Sequence, residues 1–148
     1  MRYLSQKGIG LLELMLTIIV ITAIILSATK YYLVAKEEMK ISQAQDIVNN
    51  VAQAAYKWVE GRPDFTNLSL DDLINNGLLP GKYSGNIGPW GGKITLSLDT
   101  GKNLMLQFSN LGTATTTSRC AVLYNKYKDD SQSSVWADTN CTFYFKAP

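Results

Sequence analysis

The sequence predicts an α+β protein: one long N-terminal helix and, after it, a C-terminal antiparallel β-sheet. Three observations carry that expectation. Residues 9–29 form a largely apolar run with one charge, Glu13. No proline occurs before Pro63, so no ring there removes a helical hydrogen bond. Beyond Pro89 lie short apolar runs, the first two alternating with the period of half-buried strands.

The chain has 148 residues, 46% apolar and 18% charged, which suits one modest domain. The apolar residues are not spread evenly. Residues 1–8 are polar and carry Arg2 and Lys7. Residues 9–29 number 21. At 1.5 Å per residue they span ~31 Å, the thickness of a bilayer core. The run is too long for the apolar stretch of a secretory signal, and no clean cleavage site follows it, although Ser27 and Ala28 are near. Basic residues lie only on its N-terminal side until Lys30. That distribution keeps the N-terminus in the cytoplasm and exports the rest.

A helix is expected to continue to about Val59. Residues 30–40, with Lys36, Glu37, Glu38 and Lys40, read as a solvated continuation. Ile41, Ala44, Val48, Val51, Ala55 and Trp58 then recur at alternating spacings of three and four. Such a stripe is a core face, and a sheet is expected to cover it. Residues 61–86 form a connection. Within it Ser69 caps a short helix with Asp71 and Asp72 in its first turn, ended by Gly77 and Pro80. Pro89, Trp90, Gly91 and Gly92 read as a tight turn with a half-buried tryptophan. Strands are expected over residues 93–98, 103–108, 121–124 and 142–145. Residues 99–102 join the first two as a hairpin, and residues 113–118 read as a small polar loop.

Much chemistry is excluded. The chain has no histidine, so no Ser-His-Asp or Cys-His apparatus and no histidine metal site can be built. No phosphate-binding glycine loop, nucleophile elbow or CxxC pair occurs. A net charge of +2 is too small to imply a nucleic-acid partner. A membrane-anchored enzyme is therefore not expected, and neither is a cofactor.

Glu13 is the informative residue. A carboxylate in a membrane helix costs about 3 kcal/mol on insertion scales, less near the interface. A plain anchor gains nothing from it. The local order is Lys7-Gly8-Ile9-Gly10-Leu11-Leu12-Glu13. It closely resembles the processing site of type IV pilins and their relatives: a basic residue and glycine, a cut, and a glutamate at the fifth mature position. Ile9 stands where a phenylalanine or methionine is usual. Lys30 stands where many members have a kinking proline, so no proline kink is expected there.

The resemblance implies a type IV pilin-like fold, with residues 1–8 a cleaved leader, 9–29 a transmembrane and filament-core helix, and 30–148 an exported globular domain that includes the second half of the helix. It implies a prepilin peptidase that cuts between Gly8 and Ile9 and methylates the Ile9 amine. It implies partners too: inner-membrane lipid, an assembly platform, and other copies of the chain in a helical pilus outside the cell. Cutting removes Arg2 and Lys7 and leaves 12 basic residues against 12 acidic. It also creates an α-amine at Ile9 that can pair with Glu13 of a neighbour.

Cys120 and Cys141 are the two cysteines. In an exported chain they read as one disulfide; a metal reading fails for want of other ligands. The region between them holds Tyr124, Lys126, Tyr127, Lys128, Asp129, Asp130, Val135, Trp136 and Asp138. It resembles the disulfide-bounded region exposed on type IV pili, and reads as a solvated loop with a pinned tryptophan. Asp129, Asp130 and Asp138 match no EF-hand spacing, so calcium is not the reading adopted. The glycosylation patterns at Asn67 and Asn140 are treated as chance. The alternative assignments are a type II secretion pseudopilin, which shares this N-terminus, and a minor pilin.

Overall fold

The computed structural model describes residues 7–60, 62, 64–99, 103–111, 116–127, 134–137 and 140–145. The chain divides into two units, Met1–Met39 and Lys40–Pro148. Helix α1 (Lys7–Val59) contributes its first part to one and its second part to the other. It begins two residues before the expected start at Ile9.

The second unit is built on the amphipathic part of α1. Ala44, Val48, Val51 and Ala55 of the expected stripe are buried, joined by Ile47, Ala54 and Val59. Ile41 and Trp58 pack at its margins, and Gln43, Asp46, Gln53 and Lys57 stay exposed. Arg62 lies 3.7 Å over the Trp58 ring, a cation–π contact at the helix end.

Four strands form one antiparallel sheet in the order β1-β2-β4-β3: β1 (Ile94–Leu98), β2 (Leu104–Phe108), β3 (Ser134–Ala137) and β4 (Asn140–Phe145). The register pairs Leu104 with Phe145, Leu106 with Phe143 and Phe108 with Cys141. These side chains alternate with Met105, Gln107 and Tyr144, so one face of the β2–β4 pair is wholly apolar. All six are buried in the same core as the α1 stripe. Phe108 and Phe143 meet edge to face with centroids 6.0 Å apart.

The short helix is as expected. In α2 (Leu70–Asn75), the Ser69 hydroxyl accepts from the Asp72 amide at 3.1 Å, and the Asp72 carboxylate accepts from the Ser69 amide at 3.1 Å. This reciprocal pair is a capping box. At the other end, Gly77 has φ +70°. Its amide donates to the Ile74 carbonyl and that of Leu78 to Leu73, each at 2.9 Å. That closes a Schellman motif and buries Leu73 while Leu78 packs against the core.

Other expectations need correction. Residues 121–124 are not a strand but the middle of α3 (Thr116–Tyr127), and residues 116–118 of the expected polar loop are its first turn. Cys120, Leu123 and Tyr127 share one buried face at helical spacing, while Val122 points to solvent. A run of four apolar residues carries too little period to separate the two structures. The loop expected between the cysteines holds the rest of α3 and all of β3. A 3-10 turn at Gly81–Tyr83 was not anticipated either. Its Tyr83 hydroxyl accepts from Asn50 Nδ2 at 2.9 Å, fastening the connection to α1. Residues 100–102 of the hairpin lie outside the described residues, but the Asp99 amide donates to the Asn103 carbonyl at 2.9 Å and closes its base.

The turn before β1 depends on one glycine. A Cβ at Gly92 would sit 1.6 Å from the Ser109 carbonyl oxygen, a backbone atom that cannot step aside. Gly92→Ala is expected to cost about 3 kcal/mol or more, as severe overpacking does. Gly77→Ala, which meets no atom within 4 Å but strains a positive φ, is expected to cost about 1 kcal/mol. Gly81→Ala meets nothing within 4 Å and has no such φ, so it should be close to neutral. Thermal unfolding of the full chain in detergent checks the order.

Candidate functional site

Among the described residues of the first unit there is no core. Every residue from 10 to 36 is exposed, and the apolar ones cover all sides of the helix rather than a stripe. Twelve large apolar side chains between Leu11 and Leu26 are each more than half exposed. Covering them is worth on the order of 15 kcal/mol at the usual return for buried hydrocarbon. That exceeds the whole stability of many domains. It also exceeds the roughly 3 kcal/mol cost of one carboxylate in a membrane helix. The segment is long and apolar enough to cross a bilayer.

The side-chain hydroxyls of this segment are satisfied inside the helix. Thr17 donates to the Leu14 carbonyl at 2.8 Å, Thr22 to Ile18 at 2.7 Å, Ser27 to Ala23 at 2.8 Å, and Thr29 to Leu26 at 2.9 Å. These are all the hydroxyls between residues 10 and 29. A helix in hydrocarbon must close its hydrogen bonds internally, and this one does. What it presents outward is hydrocarbon, broken only by Glu13. The hydroxyl bonding was not part of the sequence reading, although serine and threonine in an apolar helix are its signal.

Glu13 is exposed between Leu12 and Leu14. It lies one helical turn beyond Ile9, a rise of ~6 Å. Lys7, Gly8 and Ile9 form the first turn of α1; their side chains lie outside the described residues.

The cysteine pair lies in the second unit. Cys120 Sγ and Cys141 Sγ are bonded at 1.99 Å, and both residues are buried. The bond ties α3 to β4, rather than one strand to another as their borders suggested. Polar contacts hold α3 to α1 nearby. The Tyr127 hydroxyl donates to Asn49 Oδ1 at 2.9 Å, and Lys126 Nζ donates to Gln45 Oε1 at 2.6 Å. Arg119 donates to the Leu111 carbonyl and faces the Trp90 ring at 5.5 Å, which gives the half-buried tryptophan its neighbour. Asp129, Asp130, Asp138 and Lys128 lie outside the described residues, and Val135 and Trp136 are described only as backbone of β3. Among the described residues no group of three metal-ligating side chains converges.

An open cleft of about 370 Å³ lies beside α1, lined by Gln43, Asp46, Ile47, Lys82, Tyr83 and Ile87. Sequence reasoning did not find it, because Asp46 and Lys82 are brought together only by the fold. No family model, curated protein or solved structure matches the chain.

Intact protein should contain no thiol that iodoacetamide can alkylate, and two after reduction. Cys141→Ser is expected to cost about 3 kcal/mol in the chain-entropy account of loop closure. Thermal unfolding and protease resistance of the detergent-solubilised chain measure that loss.

Proposed function

We propose that this chain is a structural subunit of a type IV pilus. It is held in the inner membrane, cut between Gly8 and Ile9 by a prepilin peptidase, and passed by an assembly platform into a helical filament of like chains. One observation carries the reading: a helical segment with hydrocarbon on every face and a single ionic group, Glu13, one turn after Ile9. Lipid covers such a surface before assembly, and the same segments of other copies cover it afterwards.

The chemistry favours a filament over a plain anchor. Packing among apolar helices has little preference for axial register, since van der Waals contact is much the same at neighbouring offsets. A pair between the Ile9 amine of one copy and Glu13 of another supplies that register. Each charge is costly alone in hydrocarbon, and pairing returns part of both costs, while a lone partner left there is the most expensive state. Amine and carboxylate lie ~6 Å apart along the helix, so a modest axial offset between copies brings them level. The disulfide supports a pilus over a secretion pseudopilin, a group whose members usually lack paired cysteines.

Glu13→Val should leave the protein processed, inserted and stable, and should reduce filaments strongly. Glu13→Gln should fall between, because it keeps an acceptor and loses the charge. The measurement is sheared filament yield against the membrane pool, by immunoblot. Wild-type yield from Glu13→Val at normal expression would remove the assembly role. Gly8→Ala should leave most chains uncut, as intact mass would show; efficient cutting elsewhere would place the leader boundary differently.

A further inference from the structure

The exposed apolar surface of α1 does not stop at Thr29. Tyr31 is 77% exposed, Tyr32 64%, Leu33 64% and Val34 57%. Residues 9–34 therefore span ~39 Å, more than the roughly 30 Å of a bilayer core. Two placements of 21 residues fit the core equally well in length. In the first, residues 9–29 are immersed. Glu13 then lies ~6 Å inside the cytoplasmic boundary, and Lys30 stands just outside the opposite one. In the second, residues 14–34 are immersed. Glu13 is then outside in the cytoplasmic headgroups, and Lys30 is ~6 Å inside the far boundary. Each placement immerses one charge, at opposite ends.

The two charges are not equivalent. Lysine has a long stem that carries its ammonium back to the headgroups. Glutamate is shorter and does so less well. On charge alone the second placement is favoured, and Glu13 would leave the bilayer. Tyr31 and Tyr32 oppose this. Tyrosine prefers the headgroup level, where its ring is half in hydrocarbon and its hydroxyl is wet. Only the first placement puts both rings there. Consecutive helical residues point about 100° apart, so the two rings reach the interface on different sides of the helix.

We propose that Lys30, Tyr31 and Tyr32 form an anchor for the lipid headgroup layer on the exported side, and that this anchor holds Glu13 inside the bilayer. The inference rests on the membrane-inserted reading above. It gives the anchor a task in assembly: a carboxylate kept in lipid gains more from a neighbour's amine than one already in water.

The test uses the full chain in vesicles of phosphatidylethanolamine and phosphatidylglycerol. A nitroxide is attached at Leu12→Cys or Leu33→Cys, the native cysteines being bonded to each other. Collision with oxygen against an aqueous nickel chelate reads its depth. With Tyr31 and Tyr32 present, the label at position 12 should lie in the oxygen-rich interior and that at 33 near water. With Tyr31→Leu and Tyr32→Leu together, the helix should slide by five residues, about 7 Å. Position 12 should emerge and position 33 should enter. Tyr31→Trp with Tyr32→Trp should keep the original depths. Unchanged depths in the leucine pair would overturn the anchor and leave the membrane reading intact, as would entry of position 33 without exit of position 12. Nickel access at both positions in every variant would overturn the membrane reading itself.

Discussion

Hydrocarbon on every side of a helix constrains everything else in this molecule. Residues 10–36 are exposed throughout, and the large apolar side chains among them have no core to enter. Water is a poor solvent for such a surface, and a stripe on a neighbouring domain would cover only one side of it. The proposed reading gives it apolar surroundings all round, lipid or like helices. That setting explains why each hydroxyl between residues 10 and 29 bonds back to its own helix. It also makes Glu13, the one ionic group between residues 10 and 29, the place to look for function.

The same helix meets a different solvent further on. From Lys30 the charges return, and from Ala44 the buried positions narrow to one face. Here the surroundings are water on one side and a sheet on the other. The second unit closes by ordinary means: aromatic packing on β2 and β4, a capped short helix, and polar fastenings that join distant parts of the chain. Asn50 with Tyr83 and Asn49 with Tyr127 are such fastenings. The Cys120–Cys141 bond adds a covalent one between α3 and β4. On the proposed reading the domain is exported, where no cytosolic reductant opposes the bond.

The features legible in the sequence are those with a long period or a local chemical signature. The stripe from Ala44 to Ala55 repeats over several turns, so the helix and its buried face could be read directly. Ser69 and Asp72 sit at capping-box spacing, and Gly77 stands where the helix ends. The cysteines and Glu13 stand out by type and place. What escaped is short or non-local. Ala121 to Tyr124 fits a strand or a helix equally, and only Cys120, Leu123 and Tyr127 taken together decide for the helix. The four residues of β3 become a strand because β4 pairs with them, with Val135 opposite Thr142. The cleft beside α1 and the Asn50–Tyr83 bond join residues more than thirty positions apart. Nothing local announces them.

Whether other copies of the chain replace lipid around α1 is the central claim. Electron microscopy of material sheared from the cell surface, with mass spectrometry of its protein, tests it most directly. The account predicts long, thin filaments whose principal protein is this chain. Sheared material without such filaments, with the chain confined to the membrane fraction under conditions of full expression, would contradict it.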